Sequence, residues 1–371
     1  MQFNNNQQVY FALVKAGLWE KEARLASFSE VDYSEVQRIA EEQTVVGLAT
    51  AGLEHVVDVR VPKEDLLQFI GQSLQLEQSN KSMNEYLAWL IDRLCKEDVY
   101  AILVKGQGIA QCYERPNWRS SGDIDLLLSD VNYNRAKEIL IPIAVSIEEE
   151  FKSLKHLAMT MQGGIVVELH GTLHSHLSKR VDNVVDEVQR DIFYGGNVRS
   201  WVNGKTTVFL PSPDNDVFFV FTHILKHFFF EGIGLRQVCD WCRLIWTYRD
   251  KLDIQLLECR LRKAGLMSEW KAFATVAVLW LGFPKDQMPL YDSHKKWGQK
   301  AFRIVGFIME SGNFGHNNSR RASTTYLTNK VLSAWYKAKI FGRHIRVFPL
   351  DSVRFFLYFC GVGIRNVINR E

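Results

Sequence analysis

The chain lacks a hydrophobic run long enough to cross a membrane, and it lacks the cysteine pattern of a small secreted domain. Its longest apolar stretch near the C-terminus, residues 355–364, is about half the length that a bilayer requires. Six cysteines spread over 371 residues do not resemble a disulfide framework and favour a reducing compartment. The first residues contain no basic stretch that leads into an apolar stretch and a cleavage signal. These absences predict a cytoplasmic protein.

Internal repeats and low-complexity segments are also missing. Apolar residues make up 47% of the chain and charged residues 23%, which is ordinary for a globular protein that can bury a substantial core. A length of 371 residues exceeds that of one typical domain. Two or three structural units are therefore expected.

The net charge of +3 is unevenly distributed along the chain. Residues 320–371 contain ten Lys and Arg against two acidic residues, a net charge of +8, which leaves −5 for the first 319 residues. A basic, aromatic-rich segment can attract an anionic partner such as nucleic acid, a lipid headgroup or a phosphorylated glycan. The alternative is a solvated helix face, which is what charge runs more often form.

Hydrophobic periodicity divides the chain into three regions. Residues 1–98 show the helical spacing of apolar side chains, and residues 211–371 are predicted to be helical again, with the clearest helix over 214–230. Between them, residues 99–210 alternate short apolar strands with turns and helices. This pattern predicts an α+β fold with a small mixed sheet flanked by helical regions. The polar stretch 311–323 is expected to be a flexible loop.

Two predicted strands of the central region carry acidic residues where an aliphatic side chain is expected. Asp123 and Asp125 share one face of a strand and repel each other unless a cation lies between them. The alternative is a turn at the strand entry, in which Asp123 caps neighbouring amides. A predicted β-hairpin over 157–170 adds Glu168 in its second strand. His170 follows on that strand, and it is expected to point to the opposite face and to be structural.

Three carboxylates on neighbouring strands can hold two Mg²⁺ ions, which prefer carboxylate and phosphate oxygens. Two such ions on the phosphates of a nucleotide form a clamp for displacement at phosphorus. The non-bridging oxygens also need cations or N–H donors, and Lys105, Arg119 and the backbone after Gly106 can supply them. The alternative for Arg119 is a salt bridge to the two aspartates.

The order of these motifs resembles the uncharacterised bacterial nucleotidyltransferase family within the DNA polymerase beta-like superfamily. The resemblance is carried by the pair Lys105-Gly106, by 119–127 (RSSGDIDLL) and by 167–170 (VELH), and it continues into the predicted helix pair over 223–240. The chain departs from the superfamily after the turn glycine, where it has glutamine and glycine in place of the usual serine. Phosphate contacts at that turn would then depend on Lys105 and on backbone amides.

The resemblance implies Mg²⁺-dependent transfer of a nucleoside monophosphate from an NTP, expected to be ATP, to an unidentified acceptor hydroxyl. The implied catalytic, metal-binding residues are Asp123, Asp125 and Glu168. The implied nucleotide-binding residues are Lys105, Gly106 and Arg119. Arg236 and Asp240 are spaced to pair along a helix and are expected to border the acceptor pocket. The alternative function, from a different class, is a catalytically weak nucleotide-binding protein with a regulatory or interaction role.

Histidine and cysteine pairs in the C-terminal region suggest a zinc site. His223 and His227 are four residues apart, and Cys239 and Cys242 are three residues apart. Both pairs lie in strongly apolar helical stretches, where neutral histidine and cysteine pack well. A single CxxC without a close second pair of ligands is unspecific, so packing is the favoured interpretation.

Overall fold

The computed structural model describes residues 3–150, 155–312 and 341–368. The described chain forms a seven-stranded mixed sheet with helices on both faces. The predicted α+β class is therefore confirmed. The predicted loop over 311–323 lies almost entirely outside the described residues, as does the part of the basic segment from 320 to 340.

Four helices precede the sheet: α1 (Asn5–Trp19), α2 (Tyr33–Glu42), α3 (Val46–Glu54) and α4 (Lys63–Cys95). Helix α1 starts with a capping box, in which the Asn4 side chain accepts a hydrogen bond from the Gln7 backbone N–H and the Gln7 side chain accepts one from the Asn4 backbone N–H. Glycines bring α1 and α3 into close contact, because a Cβ on Gly17 would lie 2.0 Å from the Leu48 carbonyl oxygen.

The central region contains seven strands and three helices: β1 (Ile102–Val104), α5 (Gly106–Ala110), β2 (Asp123–Leu127), α6 (Asp130–Leu140), β3 (Ser146–Ile147), β4 (His156–Thr160), β5 (Val166–His170), α7 (Lys179–Phe193), β6 (Val198–Asn203) and β7 (Thr206–Pro211). The strand order is β3-β4-β5-β2-β1-β7-β6. Strand β2 runs parallel to β5 on one side and antiparallel to β1 on the other. The two strands that carry the acidic residues are therefore adjacent.

Alternation along β2 separates the two faces of the sheet. Ile124 and Leu126 belong to a core shared with α4 and α6, where they are fully buried. Leu127 belongs to a second, larger core that also contains residues of the C-terminal helices. Because alternate side chains of a strand share a face, Asp123 and Asp125 lie on this second face.

Among the described residues, six helices follow the sheet: α8 (Pro213–Phe230), α9 (Leu235–Tyr248), α10 (Ile254–Ala264), α11 (Met267–Trp280), α12 (Lys295–Ser311) and α13 (Pro349–Ile368). Aromatic side chains join several of them, since the Phe221 ring stacks on Trp241 at 5.3 Å and meets Trp270 edge-on at 4.9 Å. In the described ranges, none of the helices combines the length and the apolar character needed to cross a bilayer.

The hairpin of β6 and β7 was not predicted from the sequence, nor was α7. The hairpin turns at Gly204, whose φ of +63° is a backbone conformation that favours glycine. Asn203-Gly204 is a strong local signal for a two-residue hairpin turn, and it could have identified these strands. Strand β7 pairs in parallel with β1 and so extends the sheet beyond the predicted core.

Candidate active site

The three predicted carboxylates meet on one face of the sheet. In the parallel pairing of β2 and β5, Asp125 lies beside Glu168, and Asp123 precedes Asp125 by two residues on the same face. One carboxylate oxygen of each residue lies within 4.8 Å of those of the other two. Asp125 is only 2% exposed, whereas Glu168 and Asp123 are half-buried. This group of oxygen donors fits the preference of Mg²⁺.

Lys105 provides a cation beside the carboxylates. It lies at the turn between β1 and α5, and its Nζ is 2.7 Å from Oδ1 of Asp125. Both Lys105 and Gly106 have positive φ angles, of +60° and +45°, which turn the chain sharply at the edge of the site. A left-handed backbone at a residue with a side chain is uncommon. The turn therefore keeps the Lys105 ammonium close to the carboxylates.

The carboxylates differ in their pKa values. Repulsion by Asp125, together with burial, raises the pKa of Asp123 to about 6. Burial also acts to raise the pKa of Asp125, but the Lys105 ammonium and the hydrogen bond from His170 outweigh it and lower that pKa. Burial acts in the same direction on Glu168, where hydrogen bonds from two histidines hold the pKa far below its usual range.

His170 is part of this site, so the expectation that it points to the opposite face was wrong. Residues two apart in a strand share a face, and His170 therefore projects alongside Glu168. Its Nε2 lies 2.8 Å from Oδ1 of Asp125 and 3.4 Å from Oε2 of Glu168. Burial acts to lower the pKa of His170, and the hydrogen bonds to the two carboxylates outweigh it and raise that pKa.

His156 was missed by the sequence analysis. It lies on β4 directly opposite His170, and its Nε2 is 3.0 Å from Oε2 of Glu168. The two imidazole rings are 4.8 Å apart. The signal that could have found His156 is the hairpin register, because the three-residue turn at 162–164 places it across from His170.

Arg119 contacts α9 rather than the carboxylates of β2. Its Nε and Nη2 donate to the two oxygens of Asp240 at 3.1 and 2.7 Å, and its Nη1 donates to Ser121 Oγ at 3.0 Å. The hydroxyl of Tyr113 donates to Oδ1 of Asp240 at 2.7 Å. Arg119 and Asp240 are both buried. The pair fixes the loop that leads into β2.

Arg236 lies closer to the carboxylates than the sequence suggested. Both oxygens of Asp240 accept hydrogen bonds from Arg119, and Arg236 instead donates from Nη1 to the Ser120 carbonyl at 2.7 Å. Its Nε is buried and has no hydrogen-bond partner among the described residues. Arg236 lines the same cleft as Asp123, and each influences the pKa of the other.

Two small clefts meet at Lys105. One has a volume of about 60 Å³ and lies between β2 and helices α8 and α9, where Asp123, Asp125 and Arg236 line it. The other has a volume of about 40 Å³ and lies on the far side of Lys105, beside His170 and Lys226. The acidic cluster is therefore bordered by cationic side chains on both sides.

The histidine and cysteine pairs of the C-terminal region do not form a metal site within the described residues. His223 and His227 lie side by side, with their Nε2 atoms 3.0 Å apart, and Cys239 and Cys242 are fully buried. Neither pair joins a cluster of three side chains with metal-ligand atoms in the described part of the chain. Both cysteines belong to the larger hydrophobic core.

The fold and site combine a mixed sheet, a cluster of oxygen donors and bordering cations, which suits a metal ion together with a polyanionic ligand. Residues 29–282 match the family of proteins described as "Uncharacterised nucleotidyltransferase". The match covers more than half of the chain and all seven strands, so the protein belongs to this family. No curated protein and no solved structure matches the chain. The family predicted from the sequence motifs is thereby confirmed.

Proposed function

We propose that the protein is a Mg²⁺-dependent nucleotidyltransferase that moves a nucleoside monophosphate from an NTP to an acceptor hydroxyl. The observation that carries the proposal is the meeting of Asp123, Asp125 and Glu168 within 4.8 Å in a member of this family. Their carboxylates would hold the ion, which when bound neutralises and orients the phosphates. ATP is the NTP that we propose, and the acceptor is left unassigned.

The reaction is a displacement at the α-phosphorus. The acceptor hydroxyl oxygen forms a bond to this phosphorus, the bond from phosphorus to the β-bridging oxygen breaks, and pyrophosphate leaves. The hydroxyl proton passes to Glu168, which we assign as the base. Hydrogen bonds from His156 and His170 keep Glu168 ionised and fix its orientation, and the same bonds lower its basicity.

Cations around the clefts would bind the triphosphate. The Lys105 ammonium, which lies 2.7 Å from Asp125, would move to a phosphate oxygen, and Gly106 lines the same cleft. The unpartnered Nε of Arg236 offers a further donor in the same cleft. Because three of the five N–H donors of Arg119 bond Asp240 and Ser121, we assign to Arg119 mainly the positioning of the loop before Asp123.

The test is pyrophosphate release from each of the four NTPs with Mg²⁺ and a panel of hydroxyl acceptors. We expect release by the wild type and by Asp130→Asn, a matched change at an exposed position of α6, and no release by Asp123→Asn. Mg·NTP binding without release by the wild type would support the alternative, a nucleotide-binding protein with a regulatory role. Absence of both binding and release would overturn the proposal.

Two further parts of the proposal concern location and partners. We propose a cytoplasmic location, which is supported by the free thiols of all six cysteines. We also propose that the basic segment 320–371, described over 341–368, binds an anionic partner. Contacts of this kind weaken steeply with salt. Retention on heparin that is unchanged by salt, or by truncation after residue 325, would contradict the second part.

A further inference from the structure

We propose that His156, Glu168 and His170 form a second metal site, which binds a divalent first-row transition ion such as Zn²⁺. The site lies beside the oxygen donors of Asp123 and Asp125 and shares Glu168 with them. Binding of the ion can be measured without nucleotide and without turnover. Only its role in the transfer reaction rests on the proposed function.

The strand register brings the three donors together. His156 on β4 is paired with His170 on β5, and Glu168 precedes His170 by two residues, so all three side chains project from one face. Oε2 of Glu168 lies 3.0 Å from Nε2 of His156 and 3.4 Å from Nε2 of His170. All three donor atoms lie within 4.8 Å of one another.

These separations are close to those of a bound zinc ion. Zinc–nitrogen and zinc–oxygen bonds of about 2.0–2.2 Å in tetrahedral geometry place neighbouring donor atoms roughly 3.3–3.6 Å apart. The donors of this cluster therefore need to move little to surround an ion. The side chains of His156, His170 and Glu168 are 22%, 17% and 23% exposed, so an ion can reach them from solvent.

The donor types distinguish this site from the aspartate side of the cluster. Two imidazoles and one carboxylate favour transition ions such as Zn²⁺, whereas Mg²⁺ prefers an environment of oxygen donors only. The competing interpretation is that both histidines serve only to hydrogen-bond Glu168 and hold it in place. That interpretation predicts no high-affinity transition-metal binding, so the two can be separated by a binding measurement.

A shared Glu168 has a consequence for the reaction. A carboxylate that serves two ions holds them close together, and two-metal phosphoryl-transfer sites place their ions about 3.5–4 Å apart. One ion on the aspartates and one on the histidines would then form a mixed pair. In this pair the second ion of the proposed clamp has nitrogen ligands.

The experiment titrates the full-length protein with Zn²⁺ alone in a calorimeter, without nucleotide. We expect one site whose affinity falls at least about tenfold in both His156→Gln and His170→Gln, since even outer partners of metal ligands cost that much. His174→Gln is the matched control, because His174 bonds Asp186 and lies outside the cluster. Millimolar Mg²⁺ should not displace the zinc, because Mg²⁺ disfavours imidazole ligands. Unaltered affinity in both cluster variants would overturn the proposal.

X-ray absorption of the zinc-loaded wild type gives a second readout that does not depend on the folding of any variant. Scattering from two imidazole rings supports the site, and a shell without imidazole overturns it. Failure here is distinguishable from failure of the proposed function. If no zinc binds but pyrophosphate is released with Mg²⁺, the second metal site is wrong and the proposed function stands. If zinc binds but no pyrophosphate is released, the proposed function is wrong and the metal site stands.

Discussion

Arg119 and Asp240 are 121 residues apart in the chain and form a buried, two-point ion pair. The pair connects the loop before β2 to helix α9, and so couples the sheet that carries the acidic cluster to the helical region that covers it. Ser121 and Tyr113 complete the hydrogen bonding of the two charges. The position of Asp123 therefore depends on a contact with a distant part of the chain.

Asp240→Asn should destabilise the protein by about 3–5 kcal/mol, because it leaves the Arg119 guanidinium buried beside a neutral partner. Urea denaturation of the purified protein measures the change. Asp250→Asn is the control, since Asp250 is 80% exposed and a surface change of this kind costs within about 0.5 kcal/mol. The apolar pair Arg119→Met with Asp240→Leu should recover much of the loss. Equal midpoints for the wild type and Asp240→Asn would show that the pair contributes nothing.

Asp123→Asn should abolish metal-dependent nucleotide binding. The amide keeps the shape of the side chain, but it removes the charge that attracts the divalent ion. Calorimetry with Mg·ATP, with Asp130→Asn as the control, measures the effect. If the affinity of Asp123→Asn for Mg·ATP equals that of the wild type, Asp123 does not bind the metal ion.

Glu168→Gln should separate binding from turnover. We expect nearly wild-type Mg·ATP affinity and a loss of about two to four orders of magnitude in pyrophosphate release, the usual effect of removing a positioned base. Steady-state kinetics and calorimetry on the same preparation measure both quantities. If nucleotide binding is lost as completely as in Asp123→Asn, Glu168 is a ligand of the nucleotide-bound ion. If turnover is fully retained, Glu168 is structural.

His344 should make folding stability depend on pH. It is 1% exposed and packs against Phe228 and Phe307, and burial lowers its pKa to about 3. In the unfolded chain His344 takes up a proton near pH 6.5, whereas in the folded chain it does so only near pH 3. The contribution of neutral His344 to stability is therefore fully present above pH ~6.5. Below that pH the free energy of unfolding falls by up to about 1.4 kcal/mol for each pH unit.

The measurement is the free energy of unfolding from pH 7.5 to pH 4, for the wild type and for His344→Phe. The variant should show a shallower loss of stability as the pH falls, whatever its stability at pH 7.5. His223 and His227 are half-buried and also have lowered pKa values, which their desolvation causes, so some dependence will remain. Identical slopes in the two proteins would contradict the assignment to His344.

Acidic residues within apolar strands predicted much of the site from the sequence, whereas its long-range contacts could not be predicted. Asp123, Asp125 and Glu168 stand out because each interrupts an apolar strand, which is visible within a few residues. The partner of Arg119 lies on a helix far along the chain, and no local pattern indicates it. His156 required the register of a hairpin, and an error about strand alternation misplaced His170. The fold class was predictable because strand and helix periodicities differ.

In the free protein, the Lys105 ammonium lies 2.7 Å from Asp125 and competes with any other cation for that carboxylate. A metal ion that arrives alone must displace the ammonium, which then loses its ion pair with Asp125. A metal ion that arrives on a polyphosphate brings the replacement anion with it. Under the proposed function, metal and nucleotide are therefore thermodynamically linked, and each should raise the affinity for the other by the same factor. We expect the complex to saturate the protein at concentrations at which neither component alone occupies it.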